Sequence, residues 1–243
     1  MRIIKLDATN STNTFLRQLS HTNKLDDYTV VVTNSQTQGR GQMGTVWENI
    51  PGKNLMFSVF KEVSFVAIDD HFYISIVVSL AINKALNTFG IPKTFIKWPN
   101  DILSDNKKIC GVLIENVIKQ GALKETIIGI GLNVNQTSFD NLPRASSLKQ
   151  ITGLHYDKEL VMLEIIKNLK DYFELLKQKN YNVLKTAYEA NLFRKNKPST
   201  FKNAEGSMFL GFIKGVSNSG KLQVLLEDNV VKEFDLKELE LLY

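Results

Sequence analysis

The sequence predicts an α+β protein with two parts: a main domain over residues 1–190 and a small all-β domain over 191–243. Three observations predict it. Residues 69–89, and the stretch after Asp157, carry apolar side chains at helical spacing. Apolar runs of strand length lie before and between them, bounded by Gly, Pro, Asn and Asp. From Pro198 onward the texture changes to short alternating runs with polar turns, the pattern of a small β-barrel.

The chain has 243 residues, 43% of them hydrophobic, enough for one large core with a small second domain. Its net charge of +5 is spread along the sequence, with no long basic run. A dedicated nucleic-acid surface is therefore not expected, whereas a phosphate-bearing small molecule suits the balance. The single cysteine, Cys110, excludes an intramolecular disulfide and a Cys-based zinc site. Cys110 lies in an apolar strand, which favours a buried thiol over a nucleophile. No long apolar leader or spanning segment is seen, so no membrane partner is expected and the cytoplasm is the default location.

In chain order, Ile3 to Leu6 reads as a strand. Asp7 to Thr14 is rich in capping and turn residues, and Phe15, Leu16 and Leu19 then share a helical face. Tyr28 to Thr33 and Asn54 to Phe60 read as strands flanking a glycine-rich loop, Gln36 to Trp47. A core helix follows over Asp69 to Phe89, closed by Gly90 and Pro92. Thr94 to Trp98 and Lys108 to Glu115 read as a hairpin around Pro99, Asn100 and Asp101. Thr126 to Asn135 is a strand interrupted by glycines, a mark of close approach by a ligand or another backbone. Residues 139–153 look irregular. Asp157 caps a long amphipathic helix, and Tyr181 to Asn191 forms another. The small β region contributes runs at Met208–Ile213, Lys221–Leu226 and Val230–Leu236, and is expected to lean on the main domain.

The loop Gly39-Arg-Gly-Gln-Met-Gly44 spells the dinucleotide fingerprint, but a strand rather than a helix follows it, so that reading fails. A P-loop fails as well, because Thr45 stands where the lysine belongs. Two readings stay open for the loop alone: a flexible hairpin, or a nest of N–H groups for an anion. The histidines, His21, His71 and His155, lie outside the motif-bearing loops, so imidazole acid–base chemistry is not expected. Arg40, Lys97, amides and a tryptophan supply positioning chemistry instead. That suits transfer at phosphorus, where a protein aligns reactants and stabilises negative charge, with a metal bridging the phosphates.

Five stretches together resemble biotin–protein ligases: Ser11-Thr-Asn13, the Gln36-to-Trp47 loop, Lys97-Trp-Pro-Asn-Asp101, Lys108 to Glu115, and Gly129-Ile-Gly-Leu-Asn133. The resemblance implies a mixed-sheet catalytic domain of the kind shared with class II aminoacyl-tRNA synthetases, followed by an SH3-like barrel. It implies ATP and Mg²⁺ as cofactors and biotin as substrate. The biotin carboxyl carrier domain of acetyl-CoA carboxylase, or of a related carboxylase, is the implied acceptor. By motif, Ser11, Thr12, Asn13, Gln36, Gly39, Arg40, Gly41, Gln42, Lys97 and Gly111 would bind biotin. Arg40, Trp47, Lys97, Asn100 and Asn133 would bind ATP, with Arg40 and Lys97 as the catalytic pair. The metal ligands are not assigned.

Many relatives carry an arginine where this chain has Gln42, and basic residues where it has Met43 and Thr45. The acyl-adenylate intermediate is therefore expected to be held less tightly here. The resemblance starts at Ile3, so no helix-turn-helix and no repressor role are expected. It is compatible with a homodimer paired through a sheet edge. The competing readings are a lipoate–protein ligase or octanoyl transferase, and a non-enzymatic biotin or nucleotide sensor. The Gly-Arg-Gly loop and Lys97-Trp-Pro-Asn-Asp101 favour biotin, and a sensor would have lost Arg40 or Lys97.

Overall fold

The computed structural model describes residues 1–140 and 142–243. Its larger part is a seven-stranded mixed sheet. In chain order the strands are β1 (Ile3–Thr9), β2 (Val30–Gln36), β3 (Leu55–Glu62), β4 (Thr94–Lys97), β5 (Asp101–Ser104), β6 (Lys107–Lys119) and β7 (Ala122–Leu132). In space they run β1-β2-β3-β7-β6-β5-β4. β1 and β2 are parallel, and the other neighbouring pairs are antiparallel.

Strand alternation gives the sheet two unlike faces. Leu55, Phe57 and Val59 of β3, Cys110 and Val112 of β6, and Ile128, Ile130 and Leu132 of β7 join the large apolar core. That core is shared with the helices α2 (Phe72–Thr88), α4 (Lys158–Lys177) and α5 (Tyr181–Ala190). The intervening positions face the other way. Part of that second face is covered by α1 (Thr12–Thr22), whose Leu16 packs with Val31, Phe60 and Ile127. At the N-terminus of α1 the face carries Ser58, Gly111, Gly129 and Gly131, and there the cavity opens.

Most of the expected elements are present. Asp157 caps α4 by accepting from Glu159 and Leu160 N–H, and Cys110 is fully buried. Three expectations need correction. The stretch read as a hairpin is a three-stranded meander, because Ile102 and Leu103 form the middle strand β5. A two-residue apolar run is too short to be seen as a strand before its neighbours are known. The irregular stretch contains a short helix, α3 (Leu148–Thr152), capped by Ser147; residue 141 of that stretch lies outside the described residues. The small β region holds five strands: β8 (Pro198–Asn203), β9 (Met208–Val216), β10 (Leu222–Leu225), β11 (Val231–Phe234) and β12 (Leu239–Leu242). Their order is β11-β10-β9-β8-β12, all antiparallel, with β11 and β12 at open edges rather than closed on each other.

This small sheet is docked on the rest of the chain. Phe201, Ile213, Val216, Leu222 and Leu239 belong to the same apolar cluster as the helices. The Trp98 indole donates to Gly220 O at 2.8 Å, and the Glu189 carboxylate accepts from Val216 N–H at 3.1 Å. The docking places β12 over the ends of β4 and β5, and β12 becomes a wall of the cavity.

Candidate active site

A cavity of about 620 Å³ lies between α1, the glycine-rich loop, the meander and the small sheet. Its floor is made by the absence of side chains. Gly111 and Gly131 are register partners, and so are Leu113 and Gly129. Side chains lie directly on these glycines. A Cβ at Gly129 would stand 2.4 Å from Asn13 Oδ1, and one at Gly131 would stand 2.5 Å from the Trp47 indole. The glycines that interrupt the 126–135 strand are therefore a close-approach surface.

The α1 end of the cavity is a hydrogen-bonded network of neutral groups. Gln36 Oε1 accepts from Thr12 N–H at 2.8 Å. Ser58 Oγ lies 2.7 Å from Thr12 Oγ1 and 2.5 Å from Asn13 Oδ1. Asn13 Nδ2 donates to Glu115 Oε2 at 2.8 Å and to Leu113 O at 3.2 Å. Ser11 caps α1 and lines the cavity, and Ser11, Thr12, Asn13 and Ser58 are all buried. Glu115 extends the network outward, where its other oxygen lies 3.5 Å from both Arg17 and Arg40.

The glycine-rich loop is folded on itself. Arg40 and Val46 form a β-bridge, and Gly41 N–H donates to Thr45 O at 2.7 Å while Trp47 N–H donates to Gly39 O at 2.9 Å. Thr45 N–H donates to Gln42 O at 3.1 Å. Three of the N–H groups that a nest reading would offer are thus committed within the loop. Arg40 reaches back to α1 and donates to Thr14 Oγ1 at 3.1 Å. The Trp47 indole lies across Gly111 and Gly131, with its Nε1 buried and, among the described residues, without a hydrogen-bond partner.

The opposite end of the cavity is charged. Lys97 and Asp101 sit across from each other on β4 and β5. Lys108 of β6 pairs with Asp101 at 2.7 Å. The Tyr243 ring lies 5.6 Å from Lys97 Nζ and 4.8 Å from the Arg144 guanidinium. Burial pulls the Lys97 pKa below its ordinary value; Asp101 and Glu240 oppose this, while Lys108 and Arg144 add to it. The Cys110 thiol, by contrast, is pushed far up by burial, which leaves it protonated and inert.

The structure brings eleven of the thirteen expected residues to this one cavity: Ser11, Thr12, Asn13, Gln36, Arg40, Gly41, Gln42, Trp47, Lys97, Asn100 and Gly111. Gly39 and Asn133 are not in its lining. Gly39 is packed against Trp47 O and the Gln36 amide. Asn133 lies behind β6, where its side chain donates to Ser146 O at 3.0 Å. Asn100 spends its amide N–H on Val112 O, tying the turn after β4 to β6. Ser58, Asp101, Lys108 and Glu115 hold the network and the charged end together, yet the motif reading gives none of them a role. For Ser58 the signal was available: a lone hydroxyl within an apolar strand. Among the described residues, no group of three His, Cys, Asp or Glu side chains is arranged to hold a metal.

A family model described as "Biotin/lipoate A/B protein ligase family" matches residues 6–133, which include α1, the loop and the glycine floor. The chain belongs to this family. Among curated members, it is 28% identical over 239 residues to the bifunctional ligase/repressor BirA of Bacillus spizizenii, covering 95% of this chain and 71% of that one. It is 25% identical over 218 residues to the biotin--[acetyl-CoA-carboxylase] ligase of Mycobacterium tuberculosis, covering 88% and 79%. Among solved structures, the biotin protein ligase of Aquifex aeolicus in complex with biotin and ATP superposes with a TM-score of 0.82 at 27% identity. That match covers 99% of this chain and 98% of that one, so the likeness includes the small C-terminal sheet of this biotin/lipoate ligase family member.

Proposed function

We propose that this chain is an ATP-dependent biotin–protein ligase, acting in the cytoplasm on the biotin carboxyl carrier domain of acetyl-CoA carboxylase or a related carboxylase. One observation carries the reading: a buried, neutral hydrogen-bonding end and a cationic end share one glycine-floored cavity. Biotin has the matching polarity. Its ureido group offers two N–H donors and a carbonyl acceptor, and its valeryl chain ends in a carboxylate. The ring of lipoate has no such hydrogen-bonding groups, so it would gain no polar contact from this neutral end, whereas the ureido group of biotin would.

In this reading Ser11, Thr12, Asn13 and Gln36 orient the ureido end. Gly111, with Gly41 and Gln42 of the loop, borders the chain of biotin, and Gly39 holds the loop in shape. Lys97 faces the carboxylate and the α-phosphate, and Arg40 closes over them from the loop. Asn100 braces the turn that carries them. Trp47 borders the nucleotide, with Asn133 acting from behind β6.

In the first half-reaction a biotin carboxylate oxygen attacks the α-phosphorus of ATP. The bond to the β-phosphate oxygen breaks, giving biotinyl-adenylate and pyrophosphate. Two anions must approach, and fixed cations lower that barrier. In the second, a neutral lysine amine of the carrier attacks the acyl carbon, AMP leaves, and the amine loses a proton to water. Mg²⁺ would further neutralise the phosphates. Asp101 and Glu240 are the carboxylates on the cavity wall, a donor set that fits an ion held mainly by phosphate oxygens and water.

We further infer a catalytic domain over residues 1–190 and an SH3-like domain over 191–243, the latter supported by five short antiparallel strands. The deciding experiment incubates the protein with ATP, Mg²⁺, biotin and a carrier domain, and reads the mass of the acceptor. A mass gain corresponding to one biotin is expected. A gain with lipoate and none with biotin would overturn the proposal.

A further inference from the structure

We propose that Glu115 is a positioning residue for biotin recognition: one oxygen of its carboxylate orients the Asn13 amide, and the other seats the glycine-rich loop through Arg40. The inference rests on the ligase reading above and concerns a residue that the motifs leave without a role. Glu115 follows Gly111 and Leu113 on the same face of β6, and its register partner on β7 is Ile127, which packs with Leu16 of α1. The carboxylate lies beside the first turn of α1, outside the cavity lining, with its side chain 15% exposed. A carboxylate only accepts, so the amide edge that meets it is the N–H edge. Asn13 Nδ2 donates to Glu115 Oε2 at 2.8 Å and to Leu113 O at 3.2 Å. Asn13 Oδ1 is thereby turned to Ser58, whose hydroxyl donates to it at 2.5 Å. The single proton of Ser58 is spent there, so Thr12 Oγ1, at 2.7 Å, meets a Ser58 lone pair. One charge outside the cavity thus sets the direction of donors and acceptors in the neutral network. A glutamine in its place could present either edge of its amide, and that order would be lost.

The other oxygen, Oε1, is shared. Arg17 of α1 and Arg40 of the loop both reach it at 3.5 Å. Arg40 also donates to Thr14 Oγ1 at 3.1 Å, so the loop is held to α1 and β6 together. Two guanidiniums repel, and they stand this close because the carboxylate lies between them. The carboxylate in turn is mostly buried, and the two cations offset what its burial costs. The loop and the Asn13 amide therefore answer to one group, and losing its charge should loosen both at once.

The test uses the full chain and two variants, Glu115→Gln and Arg17→Gln. Biotin-dependent ATP–pyrophosphate exchange gives a KM for each substrate, and thermal unfolding gives a stability control. Trypsin cleavage after Arg40, without ligand, reports how often the loop leaves its seat. For Glu115→Gln the KM for biotin should rise about tenfold while that for ATP at saturating biotin stays within about threefold, the pattern of a lost charge-assisted contact that serves one ligand. Cleavage after Arg40 should quicken severalfold. Arg17→Gln should move the loop the other way. With the competing guanidinium gone, Arg40 holds Oε1 alone and cleavage should slow. A purely structural role would not give opposite shifts in the two variants. An unchanged KM for biotin in Glu115→Gln would overturn the proposal, and so would a cleavage rate equal to that of the unmodified chain. A parallel rise of both KM values with a lowered Tm would overturn it as well, by marking Glu115 as a fold anchor. Should Glu115→Gln not fold, Arg17→Gln decides, with cleavage that fails to slow counting against the shared carboxylate. If the unmodified chain shows no biotin-dependent exchange, the ligase reading fails instead. The cleavage rates then still decide whether Glu115 seats the loop, with equal rates overturning that assignment.

Discussion

At the α1 end of the cavity the polar atoms are paired with one another; at the β4–β5 end the charges are balanced rather than silenced. Ser58, Thr12, Asn13 and Gln36 are bonded to one another, and Asn13 is tied outward to Glu115, so the set holds its shape before any ligand enters. Lys97, Asp101, Lys108 and Glu240 instead form an arrangement of opposite charges, partly open to solvent, beneath the Tyr243 ring. The difference follows from what each end is proposed to bind. A neutral ureido group is distinguished by donor and acceptor geometry, so rigidity serves it. A triphosphate is held by charge, and charge left unpaired in a half-buried site would be costly without the carboxylates beside it.

The two ends should break in different ways. The largest effect is expected from Lys97→Ala, which removes a cation facing the reacting oxygens and nothing from the neutral network. Adenylate formation, followed by pyrophosphate release, should fall about 10²- to 10³-fold. Biotin binding by calorimetry should stay within about threefold. Retention of the unmodified rate would remove Lys97 from the mechanism.

The converse break is Gly129→Ala. Its Cβ would stand 2.4 Å from Asn13 Oδ1, with the amide carbon and nitrogen of Asn13 close behind at 2.9 and 3.0 Å. Asn13 would have to leave Ser58 or Glu115. Overpacking of this kind costs about 1–3 kcal/mol, which, if taken from biotin binding, corresponds to a roughly five- to 150-fold weaker grip on biotin. The KM for ATP at saturating biotin should change little. A biotin affinity equal to that of the unmodified chain would show that the Asn13 network is dispensable for recognition.

The sequence made one end of this cavity more legible than the other. Ser11-Thr-Asn13, the glycine loop and the glycines of β7 are motifs with a local physical signature, and they fall together as expected. The neutral network needed one more residue, Ser58, whose neighbours Thr12 and Asn13 lie some 45 positions away in the chain. No local pattern reports such a pairing. The charged end was legible only as Lys97. Its partners come from β5, β6 and the small C-terminal sheet, and the meander that joins β4 to β6 hides in a two-residue apolar run, Ile102-Leu103. The loop misled in the other direction. Its glycines read as a free nest, but the bridge between Arg40 and Val46 turns several of those N–H groups inward. The open edges of the small sheet were likewise invisible, because alternation reports strands but not whether the last one returns to the first.

The finest distinction between the two ends is their response to pH. No titratable side chain lies within the Ser58–Thr12–Asn13–Gln36 set, so biotin recognition there should be nearly flat across neutral and alkaline pH. Lys97 behaves otherwise. Burial disfavours its ammonium, so its pKa lies below that of an ordinary lysine and the proton leaves earlier as pH rises. The protonated form is the one that stabilises the meeting anions. First-half exchange should therefore hold steady at lower pH and decline along an alkaline limb set by Lys97, ahead of surface lysines. ATP, as an anion beside the ammonium, should raise that pKa, so the limb should lie higher when ATP is saturating than when it is scarce. The exchange assay excludes the acceptor lysine, whose own deprotonation favours the second step and would obscure the sign. Lys97→Arg supplies the control, since a guanidinium keeps its charge throughout this range. Whatever activity it retains should show no alkaline limb. A limb that survives unchanged in Lys97→Arg would assign the titration to another group and would leave the two ends of the cavity alike in their dependence on pH.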